Sequence, residues 1–407
     1  MSNKLCSFPW VHMAANQSGD LILCCNTYKN SPIKKNNNSN WKLQDVDDPL
    51  EYFNSDYYKK IRLQMINDIE PEVCKKCFDI ERSGGRSIRQ NSLDENNINL
   101  LLSKTNLLTG ELNELTLNYV HFMWGNKCNL KCKMCDPSSS DQLIEEFHNM
   151  KMTHDPKKFL EYSSDWNYKK NKNILEKIAP YIEIFNVTGG EPSVNNDFLE
   201  YCYYLDDNEF SKNISFAFHT NLNVLPTKFV SIWNKFKNVT VKISIDAIGK
   251  DYEYIRYPGK WKILEKNLLQ LQEIVKNVDS IGVEFHTVFS SFNAHAIPDL
   301  LRYLLKIDSK YFLNFPNTLR VTNPTYADPR CIPVKIKEQI AEELYKIINQ
   351  INIDIDDRTN NHIKNLKSNI QYMLSSDLDQ ESFYEFNKKQ DQFRTIKTEE
   401  IISWTNK

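Results

Sequence analysis

The stretch Leu117-Asn-Tyr-Val-His-Phe-Met-Trp-Gly-Asn-Lys-Cys128-Asn-Leu-Lys-Cys132-Lys-Met-Cys135-Asp136 decides how this chain is read. Its opening, Leu117–Trp124, reads as a β-strand. Three thiols spaced C-x3-C-x2-C follow directly and can all point at one soft metal centre. They stop one ligand short of closing it, because a structural zinc or a simple electron-transfer cluster takes four protein ligands. An uncovered coordination position is what catalysis needs.

Outward from this point the texture is regular. Strand-like runs recur at Ile182–Val187, Ile214–His219, Val239–Ile245, Ile281–Phe289 and Tyr311–Phe315. Helical patterns lie between them at Ser138–Met150, Asn173–Ala179, Asp197–Leu205, Thr227–Phe236, Trp261–Val275 and Ile297–Ile307. This alternation predicts an α/β fold with a parallel sheet and right-handed crossovers. Periodicity alone leaves a curled partial barrel and an open doubly wound sheet both standing. The polar punctuation favours the barrel. The Cys triplet follows the first strand, Thr188-Gly189-Gly190-Glu191-Pro192 the second and Thr220-Asn221 the third, while Ser244-Ile-Asp246 ends the fourth. Parallel α/β folds place their ligands at those carboxyl ends.

The 407 residues suffice for two or three compact units. A hydrophobic share of 41% and a charged share of 26% are ordinary for a globular chain. The 51 basic and 53 acidic residues leave a net charge of −2 with no long block of either sign, which disfavours a nucleic-acid partner. The N-terminus lacks the basic start and apolar run of a signal peptide. No run of about eighteen apolar residues exists, so no membrane span is expected. These features predict a cytoplasmic protein, in whose reducing surroundings clustered cysteines mean metal or catalysis.

Residues 1–100 have weak periodicity, and Asn26 to Asn40 reads as a low-complexity solvated loop. Such a region gains from a metal staple. Cys6, the Gly19-x4-Cys24 spacing and the pair Cys74-Lys-Lys-Cys77 supply four thiolates for a closed site, iron–sulfur or zinc. Cys25 can stand in for Cys24. Arg82, Arg86 and Arg89, beside Gly84-Gly85, can clamp a carboxylate or phosphate, or form a solvated helix start with salt bridges. Beyond Pro333 the chain reads as helical and polar, with Lys335–Ile348 the clearest amphipathic run. His12, His121, His219 and His286 read as core histidines, and Cys202 and Cys331 as buried thiols.

If Cys128, Cys132 and Cys135 hold three irons of a four-iron cluster, the fourth can chelate an amino acid through its amino and carboxylate groups. Gly189 and Gly190 would let backbone approach that ligand, Glu191 would meet its ammonium, and Pro192 stiffens the turn. Asp246 suits a ribose hydroxyl pair. Met134 offers a polarizable contact for a base.

The C-x3-C-x2-C loop, the Gly-Gly-Glu-Pro turn, Asn221, and Ser244 with Asp246, in this order, resemble the radical S-adenosylmethionine (radical SAM) superfamily over residues 115–325. The one departure is Met134, where an aromatic residue is common. The resemblance implies a partial (β/α)6 TIM-like barrel whose cluster cysteines are Cys128, Cys132 and Cys135. It implies S-adenosylmethionine held by Met134, Gly189, Gly190, Glu191, Asn221, Ser244 and Asp246. It further implies reductive cleavage of that cofactor to a 5′-deoxyadenosyl radical, which takes hydrogen from a peptide or small metabolite. An external electron donor of flavodoxin or ferredoxin type goes with this chemistry. Residues 1–100 resemble the auxiliary-cluster domains called SPASM and twitch, which implies a second [4Fe–4S] cluster on Cys6, Cys24, Cys74 and Cys77. Residues 333–407 would be a helical extension. The alternative is a non-catalytic iron–sulfur or zinc protein, distinguished by a fourth protein ligand at the central site.

Overall fold

The computed structural model describes residues 3–405 apart from 28–30, 36, 83–85, 94, 154, 309, 311 and 352–355. Among the described residues eight strands form: β1 (His12–Ala15), β2 (Leu21–Ile22), β3 (Tyr119–Met123), β4 (Ile184–Thr188), β5 (Ser215–Thr220), β6 (Asn238–Ser244), β7 (Ile281–Phe289) and β8 (Phe312–Arg320). They belong to one sheet in the order β2-β1-β3-β4-β5-β6-β7-β8. From β3 to β8 spatial order follows chain order without reversal. With right-handed crossovers, that order puts every connecting helix on one face, as in a barrel wall. A doubly wound sheet would reverse at a switch point. The fold is therefore the expected α/β class, of partial-barrel type, with a helical C-terminal region.

The chain divides into two compact units: Met1–Asn126 with Leu160–Ala217 and Lys235–Lys237, and Lys127–Phe159 with Phe218–Asn234 and Asn238–Lys407. In the first, β3 pairs in parallel with β4 and also with β1, whose His12–Ala15 lie beside Tyr119–Phe122. β2 turns back antiparallel on β1. The stretch after β2 is no open loop. Ile33 is fully buried, its N–H donates to Leu21 O at 2.8 Å, and Trp41 N–H donates to Ile33 O at 2.9 Å. The apolar Ile33 and Trp41 fold this polar run back onto the sheet.

In the second unit β6, β7 and β8 are parallel. Alternation along β6 sorts its faces: Val239, Val241 and Ile243 are buried, while Thr240, Lys242 and Ser244 are half-buried and polar. The C-terminal helices Val334–Gln350 and Asp357–Leu374 bury Leu344, Ile348, Leu366 and Ile370 in a core shared with Phe289, Ile297 and Phe315. Among the described residues no helix is long and apolar enough to cross a membrane.

Candidate functional site

The Cys triplet sits in the loop after β3, held by backbone ties inside the second unit. Lys131 N–H donates to Tyr257 O, and Lys133 N–H to Ile255 O at 2.9 Å. Cys128 N–H donates to Asp141 Oδ1 at 3.1 Å, and Ser140 Oγ to Leu130 O at 2.6 Å. Asn221, after β5, donates from Nδ2 to Asn129 Oδ1 at 2.7 Å, beside the first cysteine. Cys132 is buried, whereas Cys128, Met134 and Cys135 are half-buried. The thiol–thiol contact of Cys132 with Cys135 holds the Cys132 thiol below its ordinary range and, with burial, pushes Cys135 well above it.

Arg256 adds a charge that spacing alone did not reveal. Its Nη2 pairs with Asp246 Oδ2 at 2.7 Å, and its Nη1 lies 3.9 Å from Cys132 Sγ. Burial opposes its charge, but Asp246 and Cys132 outweigh that and raise its pKa above the ordinary value. The buried Nε has no hydrogen-bond partner. Asp246 is fully buried, and its Oδ1 accepts from Val288 N–H at 2.8 Å. The carboxylate read as a ribose contact is thus engaged by Arg256 and β7.

Ser244 stands opposite His286 in the β6–β7 register. The His286 ring is 4.8 Å from that of His219, and its Nε2 lies 3.4 Å from Glu284 Oε2. Burial lowers the His286 pKa, keeping the imidazole neutral near pH 7. These two histidines therefore lie on the polar strand face and are not packed in an apolar core. His12 and His121 do lie in the core: His12 is hydrogen-bonded to Leu23 O, with its pKa lowered to about 4 by burial, and His121 to Thr188 Oγ1.

The Gly-Gly-Glu-Pro turn belongs to the first unit. Gly189 has φ +114°, in the left-handed region, and a Cβ there would stand 2.7 Å from both Gly125 O and Trp124 N. Gly190 N–H donates to Gly125 O at 3.0 Å. The close approach that Gly189 permits is thus between the ends of β3 and β4. Glu191 is buried, and its Oε1 accepts from Ser193 N–H and Oγ. Gly189→Ala is expected to cost about 1–3 kcal/mol of stability. Gly282→Ala, where nothing lies within 4 Å, should be near neutral. Equal unfolding midpoints for the two variants would contradict this steric account.

Four of the five early cysteines meet in the first unit. Cys6, Cys24, Cys74 and Cys77 line one cavity of about 20 Å³, with Met65, Asn26 and Arg89 around them. Cys25 is half-buried and outside that lining, so Cys24 is the one brought to the cavity. Asn26 Nδ2 donates to Cys77 Sγ at 3.3 Å, and Cys6 Sγ lies 3.6 Å from Ser92 Oγ. Burial pushes the Cys6 thiol up to about 11 and the Cys24 and Cys74 thiols higher still. No disulfide joins any of the ten cysteines. Four soft donors around one cavity are a donor set for zinc or an iron–sulfur cluster. Among the described residues no three His, Cys, Asp or Glu side chains already stand at ion-holding distances.

The arginines after Cys77 do not form an anion clamp. Arg89 grips Glu81 with Nε and Nη2 at 2.9 and 2.6 Å, and donates from Nη1 to Leu5 O. Arg82 pairs with Glu70 and Asp79, and Arg86 with Asn91 Oδ1. Acidic partners close by pair with the Arg82 and Arg89 guanidiniums. Gly84-Gly85 lie outside the described residues. Cys202 and Cys331 are buried, the latter donating to Thr325 O.

No curated protein matches this chain. Among solved structures, it resembles native anSMEcpe with bound AdoMet at 15% identity and TM-score 0.36, covering 57% of this chain and 59% of that one. It resembles Streptococcus suis SuiB bound to S-adenosylmethionine at 14% identity and TM-score 0.36, covering 74% of this chain and 60% of that one. The chain thus spans less than two thirds of these relatives' length. Residues 123–304 match the family model of the Radical SAM superfamily, and that stretch holds the Cys triplet and the strand-end turns.

Proposed function

We propose that the protein is a radical SAM enzyme. Cys128, Cys132 and Cys135 would hold three irons of a [4Fe–4S] cluster. Met134, Gly189, Gly190, Glu191, Asn221, Ser244 and Asp246 would contact the S-adenosylmethionine. The observation that carries this reading is the C-x3-C-x2-C loop lying inside the matched domain at the end of the first core strand. When bound, the reduced cluster supplies the electron that splits S-adenosylmethionine into methionine and a radical that takes hydrogen from substrate.

The chain's own residues have separable tasks. Arg256 places a fixed positive charge beside Cys132, favouring its thiolate. Its unpartnered Nε offers a donor to a carboxylate. Asn221 ties its strand end to Asn129 and so steadies the position of Cys128. Asp246 holds Arg256 in place and is itself oriented by Val288 N–H.

Cys6, Cys24, Cys74 and Cys77 would bind a second, auxiliary [4Fe–4S] cluster closed by protein ligands. Residues 1–100 would be its Cys-rich region of twitch or SPASM type, 115–325 the core and 333–407 the helical extension. Substrate would be a peptide or a small metabolite. The electron donor would be a flavodoxin or ferredoxin, and the compartment the cytoplasm. The four thiols that line one cavity support a second reading of the auxiliary site, zinc.

Metal analysis after anaerobic reconstitution separates the readings. The cluster predicts about eight irons per chain, and zinc about four irons and one zinc. Cys74→Ala is expected to remove the auxiliary metal alone and to leave dithionite-driven 5′-deoxyadenosine formation measurable. A wild-type chain that forms no 5′-deoxyadenosine would sink the enzyme reading.

A further inference from the structure

Lys133, between Cys132 and Met134, has no exposure to solvent. Its Nζ donates to Asn387 Oδ1 at 2.7 Å and stands 4.2 Å from the centre of the Tyr254 ring. Asn387 Oδ1 also accepts from Thr398 Oγ1 at 3.1 Å, and its Nδ2 donates to Phe383 O at 2.8 Å. Tyr254 O–H donates to Thr398 Oγ1 at 2.9 Å. A second tie lies on the helix after the cluster loop, Ile144–Asn149. Its Glu146 accepts from Arg394 Nη2 at 2.8 Å and from Gln390 Nε2 at 2.9 Å, with both ion-pair partners nearly unexposed. The same short segment, 387–398, therefore reaches the inside of the Cys loop and the helix that leaves it.

A buried ammonium requires polar partners, whereas an apolar side chain would fill the Tyr254, Phe292 and Phe386 surroundings without any. A lysine at this position makes the loop's conformation depend on Asn387. Such a contact contributes specificity of arrangement more than stability.

We propose that residues 387–398 are a positioning element for the radical SAM cluster loop, acting through Lys133–Asn387 and Glu146–Arg394, so that the loop adopts its cofactor-binding form only with this segment docked. The proposal rests on Cys128, Cys132 and Cys135 being the cluster ligands.

The test uses the full-length reconstituted protein and the electron paramagnetic resonance signal of its reduced cluster, titrated with S-adenosylmethionine. Asn387→Leu keeps the volume and removes the acceptor. It is expected to fold and to need about tenfold or more S-adenosylmethionine for the same spectral change, a loss typical of removed outer-shell partners. Asn387→Asp, which keeps an acceptor oxygen, should restore wild-type affinity. Lys133→Met removes the buried charge and is expected to melt close to wild type with the same loss of affinity, which separates positioning from folding. Wild-type titrations for Asn387→Leu and Lys133→Met would overturn the proposal while leaving the enzyme reading intact. A wild-type chain with no S-adenosylmethionine-responsive signal would overturn both.

Discussion

Replacing Cys132 by alanine is expected to abolish reductive cleavage of S-adenosylmethionine, with 5′-deoxyadenosine falling to the background of an enzyme-free assay. Cys132 is the buried member of the triplet, and it lies beside Arg256. A three-thiolate site has no spare ligand, so loss of one leaves two protein bonds for a four-iron centre. The variant should also lose about four irons while keeping whatever metal the Cys6–Cys77 group holds. Retention of 5′-deoxyadenosine formation by Cys132→Ala would end the assignment of this loop as the cluster site. Arg256→Lys is a finer companion, since it keeps the charge but loses the fork that spans Asp246 and Cys132.

The second large effect is on stability. Glu146 and Arg394 are separated by 248 residues and are both nearly without exposure. Arg394→Met leaves a carboxylate buried with only Gln390 as donor, and should destabilise the second unit by about 3–5 kcal/mol. The double variant Glu146→Leu, Arg394→Met replaces the pair by apolar side chains and should recover most of that loss. Denaturant unfolding followed by tryptophan fluorescence measures both. Should the single variant unfold at the wild-type midpoint, the pair is not the anchor that its burial implies.

Much of the core fold was legible because its strands are amphipathic or continuously apolar. Ile281–Phe289 was read with its observed boundaries, and β6 differs by one residue at each end. The strand-like run Tyr311–Phe315, whose first residue lies outside the described residues, stops before Pro316, which cannot donate to a ladder. The strand nevertheless continues to Arg320, since the β7–β8 register shifts between Glu284 and His286 and absorbs the missing N–H. Ser138–Met150 shrank to a 3-10 turn at Asp141–Leu143 and a helix at Ile144–Asn149, because Asp141 is used to hold Cys128. β1 was missed altogether. Its His12-Met-Ala-Ala15 is buried throughout and shows no alternation.

At the site, the cysteines and the Gly-Gly-Glu-Pro turn carried their chemistry in their spacing. Gly189 was recognised as special, but the backbone that it meets belongs to β3. Lys133 was unreadable, because a lysine letter gives no sign of complete burial, and its partner lies 254 residues away. Of the two readings open for the arginines after Cys77, the salt-bridged one describes Arg82, paired with Glu70 and Asp79, and Arg89, paired with Glu81.

The pairing of β1 with β3 has a consequence for how the chain acquires its structure. It joins His12 to Tyr119 across roughly a hundred residues, and closing a flexible loop of that length costs about 4 kcal/mol in chain entropy. During synthesis the N-terminal strand must wait for β3 to emerge, and until then His12–Ala15 and the β3 edge are both open templates for other chains. A centre that first cross-linked Cys6, Cys24, Cys74 and Cys77 would shorten the open loop before the two strands met. Metal loading at that site would then govern folding yield, so that chains made under iron or zinc starvation would aggregate through the β3 edge before any catalytic defect appeared.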